Sequence, residues 1–387
     1  MAVERKLLFA LGMRSGDDFA DVRYALTDEG RRWALDLFQQ SRYAGPAPVT
    51  LEEFTHQVSL QKFTNEVVSP EKIRELFGNL AIEDRIIQQC GIALSSGQPI
   101  LLYGPPGNGK TSVALRLAKV FTDEIYVPYA ITVGSEIISV YDSHVHQRMN
   151  AIDASEEDKF IADQHEDYDP RWVPCRRPFV LAGGELTLDM LDLRYDETSR
   201  VYEAPLQMKA LGGCFVVDDF GHQLVSPAKL LNRWTVPLES RIDHLRLGTG
   251  KSFSIPFEEL LIFSTNLEPT DAIDAAFLRR IPNKILIGPP SLERYRDIFK
   301  RDCEPYGLTL SDALFEMIVH KLQMERGVDL AAFQPKFVID QVVAACRYLG
   351  QPPRFDPWFI DYAIDNLCVK RQGQRNTSAC SEDGITS

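Results

Sequence analysis

Eight consecutive residues, Gly104-Pro105-Pro106-Gly107-Asn108-Gly109-Lys110-Thr111, have the types and spacing to hold a phosphate chain. Gly104, Gly107 and Gly109 let the main chain curl until successive N–H groups converge on an anion, where a Cβ would obstruct. Lys110 can reach β- and γ-phosphates, and Thr111 can offer its hydroxyl to Mg²⁺. Farther along, Gly212-Gly213-Cys214-Phe215-Val216-Val217-Asp218-Asp219 is an apolar run ending in two carboxylates. Asp218 can hold Mg²⁺ through water, and Asp219 can orient or deprotonate an attacking water. Asn266 ends a third run, Leu260-Leu261-Ile262-Phe263-Ser264-Thr265, and its amide can hydrogen-bond a γ-phosphate or that water. After Asp274-Ala275-Ala276-Phe277-Leu278 come Arg279 and Arg280, which suit a finger reaching a neighbouring subunit's γ-phosphate. Such a finger contributes about 10³–10⁵ in rate. The chemistry these residues share is hydrolysis of ATP with Mg²⁺.

Positioning them requires a particular frame. The glycine loop follows the apolar run Pro99-Ile100-Leu101-Leu102-Tyr103 and opens a segment with Val113, Leu117 and Val120 on one face. That order predicts strand, loop and helix, with the positive helix end at the phosphates. Residues 50–290 read as one α/β unit with insertions at about 122–210. Residues 291–370 carry helical patterns near 291–306, 311–325, 334–349 and 356–369, separated by Gly307, Gly350 and Pro352-Pro353. Residues 371–387 are polar, lack aromatics and read as a disordered tail. In residues 1–49, Thr27 can cap a helix with Ala34, Leu37 and Phe38 on its apolar side, ahead of a stiff Gly45-Pro46-Ala47-Pro48 linker. This start resembles part of a winged helix, or it is a helical cap on the next domain.

Bulk properties narrow the function classes. The chain has 387 residues, 42 basic against 55 acidic, and a net charge of −13, which argues against a general nucleic-acid or anionic-membrane binder. Seven cysteines without a CxxC pair read as free thiols in a reducing compartment. No long apolar run suggests a membrane span and no leader opens the chain, so a cytoplasmic protein is expected. Residues 152–169 are acidic, from Asp153 through Glu156-Glu157-Asp158 to Glu166-Asp167 and Asp169, and read as a surface loop. His144 and His146 can share a strand face near His165, but no partner at ligand spacing supports a metal there. Cys175 beside Arg176-Arg177 has no paired base and reads as packing.

Over roughly residues 60–370 the chain resembles an AAA+ ATPase, with Walker A at 104–111, Walker B at 214–219, sensor 1 at Asn266, the arginine finger at Arg279/Arg280, then a helical lid. The resemblance implies an α/β P-loop NTPase fold: a three-layer α/β/α core with a parallel sheet, followed by a small C-terminal helical lid domain. It also implies ATP between core and lid, and active subunits in a ring, commonly a hexamer. Arg280 is favoured as the finger, because relatives with an Arg-Phe ending use the last arginine. Two positions depart from the family pattern. Asp219 stands where glutamate is usual, one methylene shorter. At the sensor 2 place the chain has Gln334-Pro335-Lys336, which makes Lys336 the candidate, a point charge without arginine's planar fork.

Two alternating stretches suggest the branch. One is Leu191-Asp192-Leu193-Arg194-Tyr195 with its return Arg200-Val201-Tyr202-Glu203; the other runs through Leu245 and Leu247 to Gly248-Thr249-Gly250-Lys251 and back along Phe253, Ile255 and Phe257. They resemble the helix-2 insert and pre-sensor-1 hairpin of MoxR-type, NtrC-type and magnesium-chelatase-type proteins. The phrase from Leu230 to Arg241 resembles the MoxR-type. Gly183-Gly184-Glu185-Leu186-Thr187 does not match the NtrC-type loop. The resemblance implies Arg194, Tyr195 and Tyr202 as candidate pore residues and an unknown protein client to be remodelled. The rival expectations are an ATP-dependent assembly switch with negligible turnover and a DNA-linked regulator.

Overall fold

A computed structural model of the chain describes residues 5–13, 22–65, 68–78, 80–149, 169–272 and 274–368. The acidic stretch from Asp153 to Asp167, His165 and the tail 371–387 lie outside the described residues. The described residues fall into two compact units: those of Met1–Leu76, Gln88–Tyr103 and Thr111–Leu286, and those of Phe77–Ile87, Gly104–Lys110 and Ile287–Ser387.

The first unit is organised by five parallel strands, β1 (Ile100–Tyr103), β2 (Phe179–Ala182), β3 (Cys214–Val217), β4 (Leu260–Thr265) and β5 (Asn283–Leu286), in the order β5-β1-β4-β3-β2. Strands β3 and β4 are buried along their whole length, as parallel strands covered on both faces must be. One face packs Leu101, Phe215, Val217, Leu261 and Phe263 around Trp234 of the helix Pro227–Ser240. Proline at the start of that helix has its φ already set, and Arg241 in the left-handed region ends it. The other layer comes from the helix Lys110–Ala118, with Val113, Ala114 and Leu117 buried, and from Asp84–Ser96, with Cys90, Ala93 and Leu94 buried. The core is therefore a three-layer α/β/α P-loop arrangement.

The long interval before β3 builds a second, mixed sheet of Arg194–Asp196, Val201–Glu203, Glu136–Ser139, Ala130–Val133 and Val49–Thr50. Both expected hairpins form. Arg194–Asp196 pairs with Val201–Glu203, and Ile242–Arg246 pairs with Ser252–Pro256. Neither stands free, because Tyr202, Leu245, Leu247, Phe253 and Ile255 share one apolar cluster with Phe54, Ile131 and Ile138. Tyr202 is buried and its hydroxyl accepts from the Gly248 N–H at 2.9 Å, which removes it as a pore residue, whereas Tyr195 and Arg194 remain exposed. At the start of the chain, Leu8–Met13 pairs antiparallel with Val22–Leu26, and Thr27 caps the helix Asp28–Gln40.

Among the described residues, the second unit includes the helices Leu292–Cys303, Asp312–His320, Gln334–Tyr348 and Pro357–Leu367. Ser291, Ser311 and Asp356 each accept a hydrogen bond from the first turn, satisfying donors that a helix start leaves unpaired. Tyr295, Phe299 and Phe315 meet edge-on or tilted at 5.6–6.5 Å in their core.

Candidate functional site

The loop Gly104–Lys110 belongs to the second unit. Gly104, Gly107 and Gly109 have φ of 134°, 77° and 88°, which side-chain-bearing residues rarely adopt. A Cβ on Gly107 would stand 2.3 Å from the Phe333 ring, while one on Gly109 would enter open space with nothing within 4 Å. The loop is braced by the turn just ahead of the helix Gln334–Tyr348. Phe333 N–H donates to the Gly107 carbonyl at 3.0 Å, and Ala332 N–H donates to Asn108 Oδ1 at 3.1 Å. Lys110 is buried, its ammonium donating to the Gly104 and Pro105 carbonyls at 2.9 Å each. Lys110 and Thr111 are consecutive residues at the start of the helix Lys110–Ala118.

In the first unit, Thr111 Oγ1 donates to Asp218 Oδ2 at 2.9 Å and lies 3.1 Å from Oδ1. Asp218 follows the last residue of β3, and its N–H is held by the Ala182 carbonyl at 2.8 Å. The next residue, Asp219, turns the chain with φ of 50°. Its carboxylate accepts from Asn266 Nδ2 at 3.0 Å and lies 3.2 Å from His222 Nδ1. Asn266 comes directly after β4, the strand beside β3, so adjacent strand ends bring amide and carboxylate together. Gln223 clamps the turn, donating to the Asp218 and Asp219 carbonyls at 3.0 and 3.2 Å and accepting from Gly221 N–H at 2.8 Å.

The residues fit the group that the loop suggests. In the second unit, the positive-φ glycines of the loop suit main-chain N–H groups to holding an anion, and in the first the Thr111 hydroxyl and Asp218 carboxylate are hard-oxygen groups that would suit Mg²⁺. Nothing in the sequence singles out Gln223, His222 or Phe333. A glutamine five residues after an aspartate carries no signal until the turn is seen, and Phe333 is far from Gly107 along the chain.

Arg279 is exposed and Arg280 half-buried after the short helix Ala275–Leu278. Arg280 reaches Glu239 at 2.5 Å, so within this chain it is held by a carboxylate. Lys336, in the first turn of Gln334–Tyr348, is exposed and pairs with Asp340 at 3.1 Å, one helical turn on. His144 sits in a turn and His146 just beyond it, neither on a strand, and among the described residues no group of three or more His, Cys, Asp or Glu that could hold a metal occurs. His146 is buried, with Nδ1 accepting from Asp142 N–H and Nε2 at the Lys209 carbonyl, both at 2.9 Å. Nε2 therefore carries the proton, and burial pulls the imidazole's pKa down. Burial pushes the Cys175 thiol up to about 12, away from reactivity. No helix among the described residues is long and apolar enough to cross a membrane.

Residues 100–161 match the model of the ATPase family associated with various cellular activities (AAA). Residues 291–366 match a domain of unknown function (DUF8689). Among solved structures, NtrX from Brucella abortus in complex with ADP is 12% identical over 68% of this chain and 49% of its own, with a TM-score of 0.39. The Thermotoga maritima RuvB Holliday junction branch migration motor is 15% identical over 76% of this chain and 72% of its own, also at 0.39. The chain thus spans about half the length of the NtrX chain it matches. The AAA match begins on β1 and runs through the loop and the helix that follows.

Proposed function

We propose that this protein binds and hydrolyses Mg²⁺-ATP in a cytoplasmic ring oligomer, in the manner of MoxR-like AAA+ proteins, and uses the cycle to remodel a protein partner. The observation that carries the reading is the hydroxyl–carboxylate pair of Thr111 and Asp218, one residue beyond the lysine that closes the glycine loop. Main-chain N–H groups of Gly107 to Lys110 would cradle the phosphates, with Lys110 turning its ammonium from loop carbonyls to the β- and γ-oxygens. When bound, Mg²⁺ neutralises phosphate charge. Asp219 orients the attacking water and takes its proton, while Asn266 fixes the rotamer of that carboxylate. Arg280, released from Glu239, would serve a neighbouring subunit as the finger, with Arg279 beside it. Lys336 is proposed for sensor 2 and would have to leave Asp340 to act.

Sedimentation velocity with and without Mg²⁺-ATP tests the assembly. A shift to a discrete larger species is expected, together with phosphate release per chain that rises with protein concentration. A monomer at all concentrations with undiminished turnover would contradict the ring. A second reading, an assembly switch that binds ATP with negligible turnover, is favoured by the shorter reach of Asp219. It requires assembly without phosphate release.

A further inference from the structure

Strand β2 closes one side of the parallel sheet, and among the described residues no strand pairs with its outer edge. The carbonyls of Pro178 and Ala182 accept from Cys214 and Asp218 of the neighbouring strand line at 2.9 and 2.8 Å. Strand alternation then turns the N–H and C=O groups of Phe179 and Leu181 toward the open edge. Such a row of unpaired groups is a template for another extended chain. The edge runs along a cleft of about 630 Å³. Its apolar side chains include Leu181 and Met190, 45% and 41% exposed.

The charge of the cleft says what it accepts. Its two strong cations are already used: Arg194 pairs with Glu203 at 2.6 Å, and Lys209 pairs with Glu203 and Asp142 at 2.7 Å each. Glu185, Asp189 and Asp192 line the same cleft as exposed carboxylates. Among the described residues, Asp192 pairs with Arg233 Nε at 3.5 Å. A second copy of this chain presenting its own β2 edge would set the same carboxylates against each other, so self-pairing is opposed.

We infer that the β2 edge is a docking site for an extended peptide that alternates apolar and basic residues. Its main chain adds to the Phe179–Leu181 edge. Its apolar side chains lie on Leu181 and Met190, and its lysines or arginines face Glu185, Asp189 and Asp192. Docking needs no nucleotide turnover, so it stands apart from the ATPase reading.

Fluorescence anisotropy with a short labelled peptide of alternating lysine and valine tests it on the full chain. Three comparisons decide: the same peptide N-methylated at alternate amides, a peptide with glutamate for lysine, and the charge-reversed chain Asp189→Lys/Asp192→Lys. The parent peptide should bind saturably, and each change should weaken it by at least about tenfold. Leu181→Lys, also at an exposed position, should act like the charge reversal. Lys110→Ala should bind the peptide as the unaltered chain does, whatever its turnover. Equal binding of the N-methylated peptide would show charge attraction without strand pairing and overturn the proposal. So would unchanged binding by the charge-reversed chain, or no binding of the parent peptide at all.

Discussion

The hydroxyl of Thr111 and the carboxylate of Asp218 meet at 2.9 Å, joining the start of the loop helix to the end of β3. Both are oxygen ligands suited to Mg²⁺, and each already points at the other. Thr111→Val removes the hydroxyl at nearly constant shape, and Asp218→Asn removes the charge. Each should lower Mg²⁺-dependent turnover by about 10–100-fold and raise the Mg²⁺ concentration needed for half-maximal rate. A Mg²⁺ titration of phosphate release measures this, and an unchanged titration curve would refute the pairing's role.

Asp219 occupies the left-handed region at φ of 50°, a conformation that asparagine also tolerates. Asp219→Asn therefore keeps the turn that Gln223 clamps and removes the negative charge. Turnover should fall by about 10²–10⁴ while ATP still binds. Calorimetric titration alongside phosphate release separates the two; a variant that hydrolyses at the parent rate would exclude Asp219 as the base.

Gly107 is under two constraints at once, a φ of 77° and the Phe333 ring in the place of a Cβ. Gly107→Ala should weaken ATP binding, through about 1–2 kcal/mol of backbone strain plus the clash. Adding Phe333→Ala should relieve the clash and leave the strain, giving partial recovery. If the single variant binds ATP as the parent does, the loop is not the phosphate cradle.

Arg280 is tied to Glu239 at 2.5 Å, whereas Arg279 is exposed. Arg280→Ala should retain ATP binding and lose most turnover, with Arg279→Ala much milder. Mixing Arg280→Ala chains with Lys110→Ala chains should restore part of the activity, since each supplies what the other lacks across a subunit boundary. No restoration, with both parents inactive, would argue against a finger acting in trans.

Glu259 is buried just ahead of β4, and among the described residues neither carboxyl oxygen has a hydrogen-bond partner. Desolvation, with Asp243 nearby, holds its pKa well above 4.5 and so favours the neutral form in the folded chain. For an acid whose folded pKa is raised, stability is full below the unfolded value and is lost as pH rises through the folded one. Replacement by methionine removes that cost. Glu259→Met should therefore gain stability over the parent, by about 1–3 kcal/mol, and the gain should be larger at pH 8 than at pH 5. Thermal melts at the two pH values check it; an equal gain at both would mean that the carboxyl does not titrate as described.

Local sequence made the phosphate loop and the carboxylate strand legible. Positive-φ glycines are written into the residue types, and Asp218-Asp219 ends an apolar run short enough to be one buried strand. The second sheet was not legible. Val49–Thr50 is two residues long, and the sheet joins it to Ala130–Val133 and Val201–Glu203 across long stretches of chain. Tyr202 illustrates the same limit. Alternation shows that it sits on one hairpin face, but only the Gly248 contact shows that this face is inside. Lys336 could be placed near a helix start from Pro335, yet its partner Asp340 is a matter of helical geometry that competes with any ligand.

The most direct measurement is steady-state phosphate release from Mg²⁺-ATP by the purified chain, beside Lys110→Ala. Turnover above background is expected, with Lys110→Ala abolishing it and weakening ATP binding in parallel. Equal, background-level release from both, with ATP binding indifferent to the lysine, would contradict the ATPase reading.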